Sequence, residues 1–339
     1  MASSTDNQIR ALVQHRLDSW RDAKVEAINP LKPGPGEVLI ATEAASLNFP
    51  DLLMMEGKYQ HKAPLPFVPG RDAAGTILAV GHNVKEFSPG DRVVAVTNYG
   101  AFAAQTIASV ALCHKIPAGV SYEDAAACGT GIPTVVAAIS LRARLKPGEW
   151  VMISGAAGGM GSLAVQYAKA LGGHVAALVS SVEKEKLVLE VGADLVLRSD
   201  EIADLKAGLR TALEAKGVDG VDAAIDMVGG DAFDAMIRCI KPEGRLVVVG
   251  FASGRIPSVA ANYLLLKDIA VIGSSLTRLL SIRPEGLVRL CDEAYAMLAD
   301  GRLRPVIDGR YPLDRFVEAA SRIADRQVVG KIILRPAAT

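Results

Sequence analysis

Cysteine is scarce in this chain of 339 residues. Only Cys113, Cys128, Cys239 and Cys291 are present, and no two of them form a C-x-x-C pair. That spacing gives neither a structural zinc cage nor a disulfide framework. A dominant charge is missing too, because 37 Lys and Arg balance 37 Asp and Glu. Nucleic-acid binders normally present a basic surface, so nucleic acid is not the expected partner. The first twenty residues are polar and mixed, without the apolar stretch of a leader peptide. No apolar run approaches the ~20 residues of a bilayer span. The expectation is therefore a cytoplasmic protein with no membrane partner. His15, His61, His82, His114 and His174 are scattered, and no G-x-S-x-G elbow supports a serine nucleophile.

The length suffices for two domains, and half of the residues are hydrophobic. Residues 1–7 read as a disordered tail. Residues 9–112 read as an all-β region, with strands expected at 36–42, 74–80 and 92–96 between Gly, Pro, Asn and Asp turns. The texture changes near Ser121, which precedes Glu123, Asp124 and an alanine run, a helix start with acids in its first turn. Strands and helices then alternate: strands at 150–154, 174–179, 194–197, 221–226, 245–250 and 269–272, helices at 162–171, 182–191, 200–215 and 232–240. Such alternation predicts a parallel sheet with helices on both faces. A helix over 285–299, a strand and turn near 305–312, a helix over 316–324 and a strand over 331–334 complete the chain. The predicted fold class is α/β, a Rossmann doubly wound sheet inserted in a β-rich substrate domain. The expected divisions are 1–122 and 275–339 for the substrate domain and 123–274 for the Rossmann domain.

The richest stretch is WVMISGAAGGMG at positions 150–161. A strand, a glycine turn and a helix form the phosphate-binding corner of a dinucleotide fold. Glycines let the backbone approach a pyrophosphate, and a helix N-terminus offers unpaired N–H groups. Ala157, Gly158, Gly159, Met160 and Gly161 are the candidate contacts. Ala156 replaces the first glycine of G-x-G-x-x-G, and glycine turns also occur where nothing binds.

The end of the next strand discriminates between cofactors. NAD-binding folds place an acid there for the ribose hydroxyls. Here the tip reads Ser180-Ser181-Val182-Glu183-Lys184. Two hydroxyls and a lysine suit a 2′-phosphate, which favours NADPH. The plainer alternative is a capped helix start with solvated lysines. Glu183 would repel a phosphate.

ASLNFPDLL at 45–53, VPGRDAAGTILAVG at 68–81, FSPGDRVVAV at 87–96, GAFAAQ at 100–105, the glycine turn, DMVGG at 226–230 and LLLKDIAVIG at 264–273 occur in one order along the chain. Together they resemble the medium-chain dehydrogenase/reductase superfamily, and within it the zinc-independent NADPH:quinone oxidoreductases related to zeta-crystallin. The resemblance implies a chaperonin-10-like β domain with the Rossmann domain inserted, and a homodimer. Edges for that dimer are expected at 245–250 and 269–272.

Zinc-dependent members carry Cys at the position of Asn48 and a G-H-E segment where this chain has Gly70-Arg71-Asp72. Arginine cannot ligate zinc, and Cys128 is offset from the third ligand position, which Thr130 takes. No metal is expected. Without a Lewis acid the accessible chemistry is hydride addition to a conjugated acceptor, whose product anion spreads its charge.

By the same resemblance Asn48 faces the nicotinamide ribose, and Tyr59 is a proton donor or substrate clamp; a turn asparagine and a surface aromatic are the alternatives. Leu53 replaces a second family tyrosine. Thr134 approaches the nicotinamide, with Val136 in place of an aromatic. Gly250 and Phe251 pass the nicotinamide edge, unless Phe251 is core. Arg198 stands near the 2′-phosphate, and Lys331 is a further cofactor contact. Met54, Met55, Phe49 and Tyr99 are read as a cleft lip or as core, and Asp51 as a tie to a basic partner. The combined expectation is an NADPH-dependent, zinc-free reductase of a small quinone or enone. An enoyl-thioester reductase and a non-enzymatic NADPH-binding protein are the alternatives.

Overall fold

The computed structural model describes residues 8–282 and 284–337. The tail expected over 1–7 lies outside the described residues. The chain divides into two compact units, Met1–Thr130 with Pro305–Thr339, and Gly131–Arg304.

In the first unit a seven-stranded sheet runs in the order Ile307–Pro312, Lys331–Arg335, Glu37–Leu47, Asp72–Val80, Arg92–Val96 and Cys113–Lys115, with Gln105–Ser109 paired to Glu37–Leu47. Ile9–Val13 and Lys24–Ile28 form a separate antiparallel pair. Glu37–Leu47 is longer than expected because its second half, through Ala44, Ala45 and Leu47, is buried as well. Phe102 and Phe316 are fully buried and lie 6.0 Å apart between ring centroids. Burying such a ring contributes about 1.5–3 kcal/mol. Gly75 must be glycine, since a Cβ there would stand 1.8 Å from the Ala41 carbonyl oxygen.

This unit is not all β. A helix, Phe49–Met55, follows the long strand. Asn48 is extended at its start, Pro50 fits the first turn, and the Asp51 carboxylate accepts the Asn48 backbone N–H at 2.8 Å. That carboxylate-to-backbone cap compensates for the helix's shortness. Leu52, Met54 and Met55 are buried beneath it, so the two methionines are core.

In the second unit a six-stranded parallel sheet runs Leu195–Arg198, His174–Val179, Trp150–Ser154, Val221–Asp226, Ile240–Val248 and Ala270–Gly273. By sequence the order is third, second, first, fourth, fifth, sixth, the doubly wound Rossmann arrangement. The sheet order reverses beside Trp150–Ser154, whose end enters the glycine turn. The helix after that turn is Gly159–Ala170, three residues earlier than expected, so the last glycines belong to its first turn. A helix unanticipated from sequence, Ala261–Lys267, precedes the last strand. Ile240–Val248 is interior, which corrects the expectation that residues 245–250 supply an edge; Ala270–Gly273 is the edge strand.

The unit boundaries differ from the expected divisions. Tyr122–Cys128 packs on Glu37–Leu47 and Asp72–Val80, which keeps it in the first unit. Pro284–Ala299 packs on Gly131–Val136, so the second unit runs on to Arg304 rather than ending at 274. The run Tyr122–Ala143 is also long and apolar enough to match a bilayer span by composition, contrary to the sequence reading. In its most apolar window 78 % is buried within the protein, as in a core helix.

Candidate active site

In the first unit the end of Glu37–Leu47, the Phe49–Met55 helix, the start of Asp72–Val80 and the start of Lys331–Arg335 bring together a buried polar cluster. Asp72 is fully buried and Lys331 is 7 % exposed. Asn48 spends both amide protons, Nδ2 donating to Ser46 O at 3.1 Å and to Asp72 Oδ2 at 2.9 Å. Its Oδ1 accepts from Lys331 Nζ at 2.5 Å. The other Asp72 oxygen accepts from the Thr130 backbone N–H at 2.9 Å and from the Thr130 hydroxyl. Gly129 makes this possible, because a Cβ there would stand 2.7 Å from the Asp72 carboxyl carbon. Lys331 Nζ lies 4.0 Å from Asp72 Oδ2. Asn48 thus bonds nearby backbone, as the turn-asparagine reading expects, and also fixes Asp72 and Lys331.

Asp51 lies in the same neighbourhood. One oxygen caps Asn48, and the other is buried without a partner. Burial, reinforced by the Asp72 charge, pushes its pKa up to about 7 against the pull of Arg71 and Lys331. Among the described residues Asp51 hydrogen-bonds to no basic side chain, and its tie is to the Asn48 backbone. Tyr59, half-buried, takes a hydrogen bond from Arg71 Nη1 at 3.2 Å. Phe49 and Tyr99 are 39 % and 37 % exposed, unlike the two buried methionines.

A zinc ion does not fit these residues. The Lys331 ammonium already occupies the acceptor of Asn48 and faces Asp72, and Arg71 contributes a second cation. Cys128 is fully buried, and burial holds its thiol far above the ordinary range. Among the described residues no three His, Cys, Asp or Glu side chains gather as a ligand set.

The second unit carries the nucleotide features. Gly155 has φ +62°, and Gly158 N donates to Gly155 O at 3.0 Å, closing the turn. A Cβ on Gly161 would stand 2.1 Å from Gly155 O, so only glycine lets the helix approach the turn this closely. Gly158 caps the helix without a side chain, which leaves the first-turn N–H groups of Gly159, Met160 and Gly161 uncapped. Ala157, Gly158, Gly159, Met160 and Gly161 thus share one corner.

At the tip of His174–Val179, Ser181 caps the next helix, accepting from Lys184 N at 3.4 Å. Lys184 Nζ donates to Ser180 Oγ at 3.0 Å, so the three candidates converge. Arg198 is at the neighbouring strand end, in register with Val179. It is already engaged, 2.7 Å from Asp200, 2.9 Å from Glu201 and 3.7 Å from Glu185. That acidic collar was not anticipated, although S-D-E directly follows Arg198 in sequence.

Asp226, fully buried at its strand end, accepts from Ser154 Oγ at 2.6 Å and from the Val228 and Gly229 N–H groups at 3.1 Å. It holds the DMVGG loop between the glycine turn and Phe251: a Cβ on Gly155 would meet Val228 at 3.2 Å, and one on Gly229 would meet Phe251 at 3.1 Å. Gly250 lies beyond the strand end, its N–H donating to Asp226 O at 3.3 Å. Phe251 is 40 % exposed and so is not core. Thr134 sits on Gly131–Val136 and is 7 % exposed, and Val136 on the same helix is fully buried.

Two family descriptions match the chain, "Alcohol dehydrogenase GroES-like domain" over residues 34–127 and "Zinc-binding dehydrogenase" over residues 159–293. Quinone oxidoreductase-like protein 2 of Mus musculus is 34 % identical over 312 residues, covering 91 % of this chain and 88 % of that protein. Acryloyl-coenzyme A reductase of Metallosphaera sedula is 32 % identical over 342 residues, covering 92 % and 96 %. A mycobacterial protein solved in complex with NADPH superposes with a TM-score of 0.88 at 31 % identity, covering 97 % of this chain and all of that one. The chain belongs to the medium-chain dehydrogenase/reductase family, among its quinone-oxidoreductase members.

Proposed function

We propose that the protein is an NADPH-dependent, zinc-free reductase of quinones or other activated alkenes. The observation that carries this reading is that one unit has an uncapped glycine corner and the other a lysine–asparagine–aspartate cluster in place of a metal. Likeness to the NADPH-bound mycobacterial structure supports the choice of cofactor. Ala157, Gly158, Gly159, Met160 and Gly161 would hold the pyrophosphate. Ser180, Ser181 and Lys184 would hold the 2′-phosphate, with Arg198 restrained by its acids. Thr134, Gly250 and Phe251 would hold the nicotinamide end, and Asn48 and Lys331 are proposed, on the family likeness, as further cofactor contacts. Bound NADPH supplies a hydride. Tyr59 offers a proton to the acceptor oxygen, and Lys331 keeps the buried Asp72 charge balanced.

The likeness to acryloyl-coenzyme A reductase favours a second reading, reduction of an enoyl thioester. Turnover compared between a para-quinone and a 2-enoyl thioester, each with NADPH and with NADH, separates the two. Faster quinone turnover supports the first reading and faster thioester turnover the second. Binding of NADPH with no turnover of either would make the protein a non-enzymatic binder. We also propose a homodimer in the cytoplasm. The unpaired Ala270–Gly273 edge stands beside the helix of Leu265 and Leu266, which are 80 % and 81 % exposed.

A further inference from the structure

Arg71 stands where zinc-dependent relatives carry a histidine ligand, and the ligand role does not explain it. We propose that Arg71 is a positioning residue for Tyr59: its guanidinium donates to the phenol oxygen, leaving the phenol's own proton for the acceptor. This inference rests on the reductase reading above.

The backbone fixes both partners. Gly70 has φ +96°, and a Cβ there would stand 2.3 Å from the Phe102 ring, so Arg71 follows a turn closed to any other residue. Thr97 N donates to Arg71 O at 2.7 Å, and Arg71 Nε returns a bond to Thr97 O at 3.3 Å. The guanidinium is thus anchored at its base before it reaches Tyr59. Tyr59 is anchored through its N–H, which donates to Leu53 O at 3.2 Å, and its ring packs on the core that holds Trp20 and Phe102. The guanidinium carbon is 5.9 Å from the Tyr59 ring centroid, at the outer limit for a cation over a ring face. The shorter contact, and the one that matters, is to the hydroxyl.

A phenol oxygen accepts and its O–H donates. The acceptor side of Tyr59 is taken by a permanent cation, and among the described residues nothing accepts its proton. A surface tyrosine needs neither feature. As a hydride reaches the conjugated acceptor, an electron pair moves onto the acceptor oxygen. The Tyr59 O–H bond then breaks, a new O–H bond forms on that oxygen, and the charge left on the phenol oxygen lies against Arg71. Solvent returns the proton, so each turnover consumes one hydride and one proton.

The test is a double-mutant cycle on the full-length protein with Tyr59→Phe, Arg71→Met and both. Tyr59→Phe is expected to lower kcat by about 100-fold, the scale of general-acid catalysis. Arg71→Met is expected to lower kcat about 10- to 100-fold on the same scale while leaving the KM for NADPH within about twofold. The double variant is expected to be no slower than Tyr59→Phe alone. Arg71→Lys, which keeps a cation, should recover part of the loss, and it carries the comparison if Arg71→Met does not fold. A readout independent of turnover is calorimetric binding of 4-nitrophenolate, a stable stand-in for the product anion. Both single variants should weaken it equally, and the double variant no further. Multiplicative losses in the double variant, or a KM for NADPH that rises as far as kcat falls, would overturn the proposal. A wild-type protein that oxidises no NADPH would defeat the reductase reading instead, while the 4-nitrophenolate cycle would still report on the pair.

Discussion

Replacing Asp51 by Asn removes a carboxyl that is buried at the capped start of a helix. In the native protein that group titrates at about 7 against an ordinary 3.8, chiefly because burial penalises its charge. The folded state therefore holds a proton that the unfolded chain releases earlier. Its stabilising effect is complete below about pH 4, fades as pH rises and is gone above about pH 7. The difference between the two values corresponds to roughly 4 kcal/mol of stability lost across that window, at about 1.4 kcal/mol per pH unit. An asparagine keeps the acceptor for the Asn48 N–H and carries no charge. Asp51→Asn should thus be more stable than the native protein at pH 8, by up to that amount, and close to it at pH 4. Urea unfolding at pH 4, 6 and 8 measures this directly. Parallel stability curves for the two proteins would refute the argument that burial of Asp51 costs stability at neutral pH.

Gly161→Val should abolish NADPH binding, seen as loss of quenching on titration, because its Cβ would overlap the Gly155 carbonyl. Lys184→Ala should raise the KM for NADPH about tenfold and leave that for NADH unchanged, the scale of one charge-assisted hydrogen bond. Arg198→Ala should change the KM for NADPH less than twofold, as its charge is already matched by Asp200 and Glu201. Lys331→Met should lower stability by about 3 kcal/mol in chemical unfolding, because it strips a cation from a buried carboxylate.

The parallel sheet was legible because strands and helices alternate with different hydrophobic periods, and Trp150–Ser154, His174–Val179 and Val221–Asp226 lie where the pattern puts them. Phe49–Met55 was missed because seven residues hold too few turns to show a helical period, although Asn48 and Asp51 spelled out the cap. The glycine corner and the Ser180–Lys184 tip were readable because their partners are neighbours in sequence. The Asn48–Asp72–Thr130–Lys331 cluster was not, because its members come together only through sheet pairing: Lys331–Arg335 pairs with Glu37–Leu47, which pairs with Asp72–Val80. Arg71 was read only as a failed zinc ligand because Tyr59, twelve residues earlier on the same connection between Phe49–Met55 and Asp72–Val80, meets it only when that loop folds back.

The most direct test of the central claim is oxidation of NADPH by protein stripped with a chelator, followed with and without a para-quinone or 2-enoyl thioester. The account predicts acceptor-dependent oxidation that the chelator leaves intact and that zinc does not increase. Activity lost on chelation and restored by zinc would contradict it.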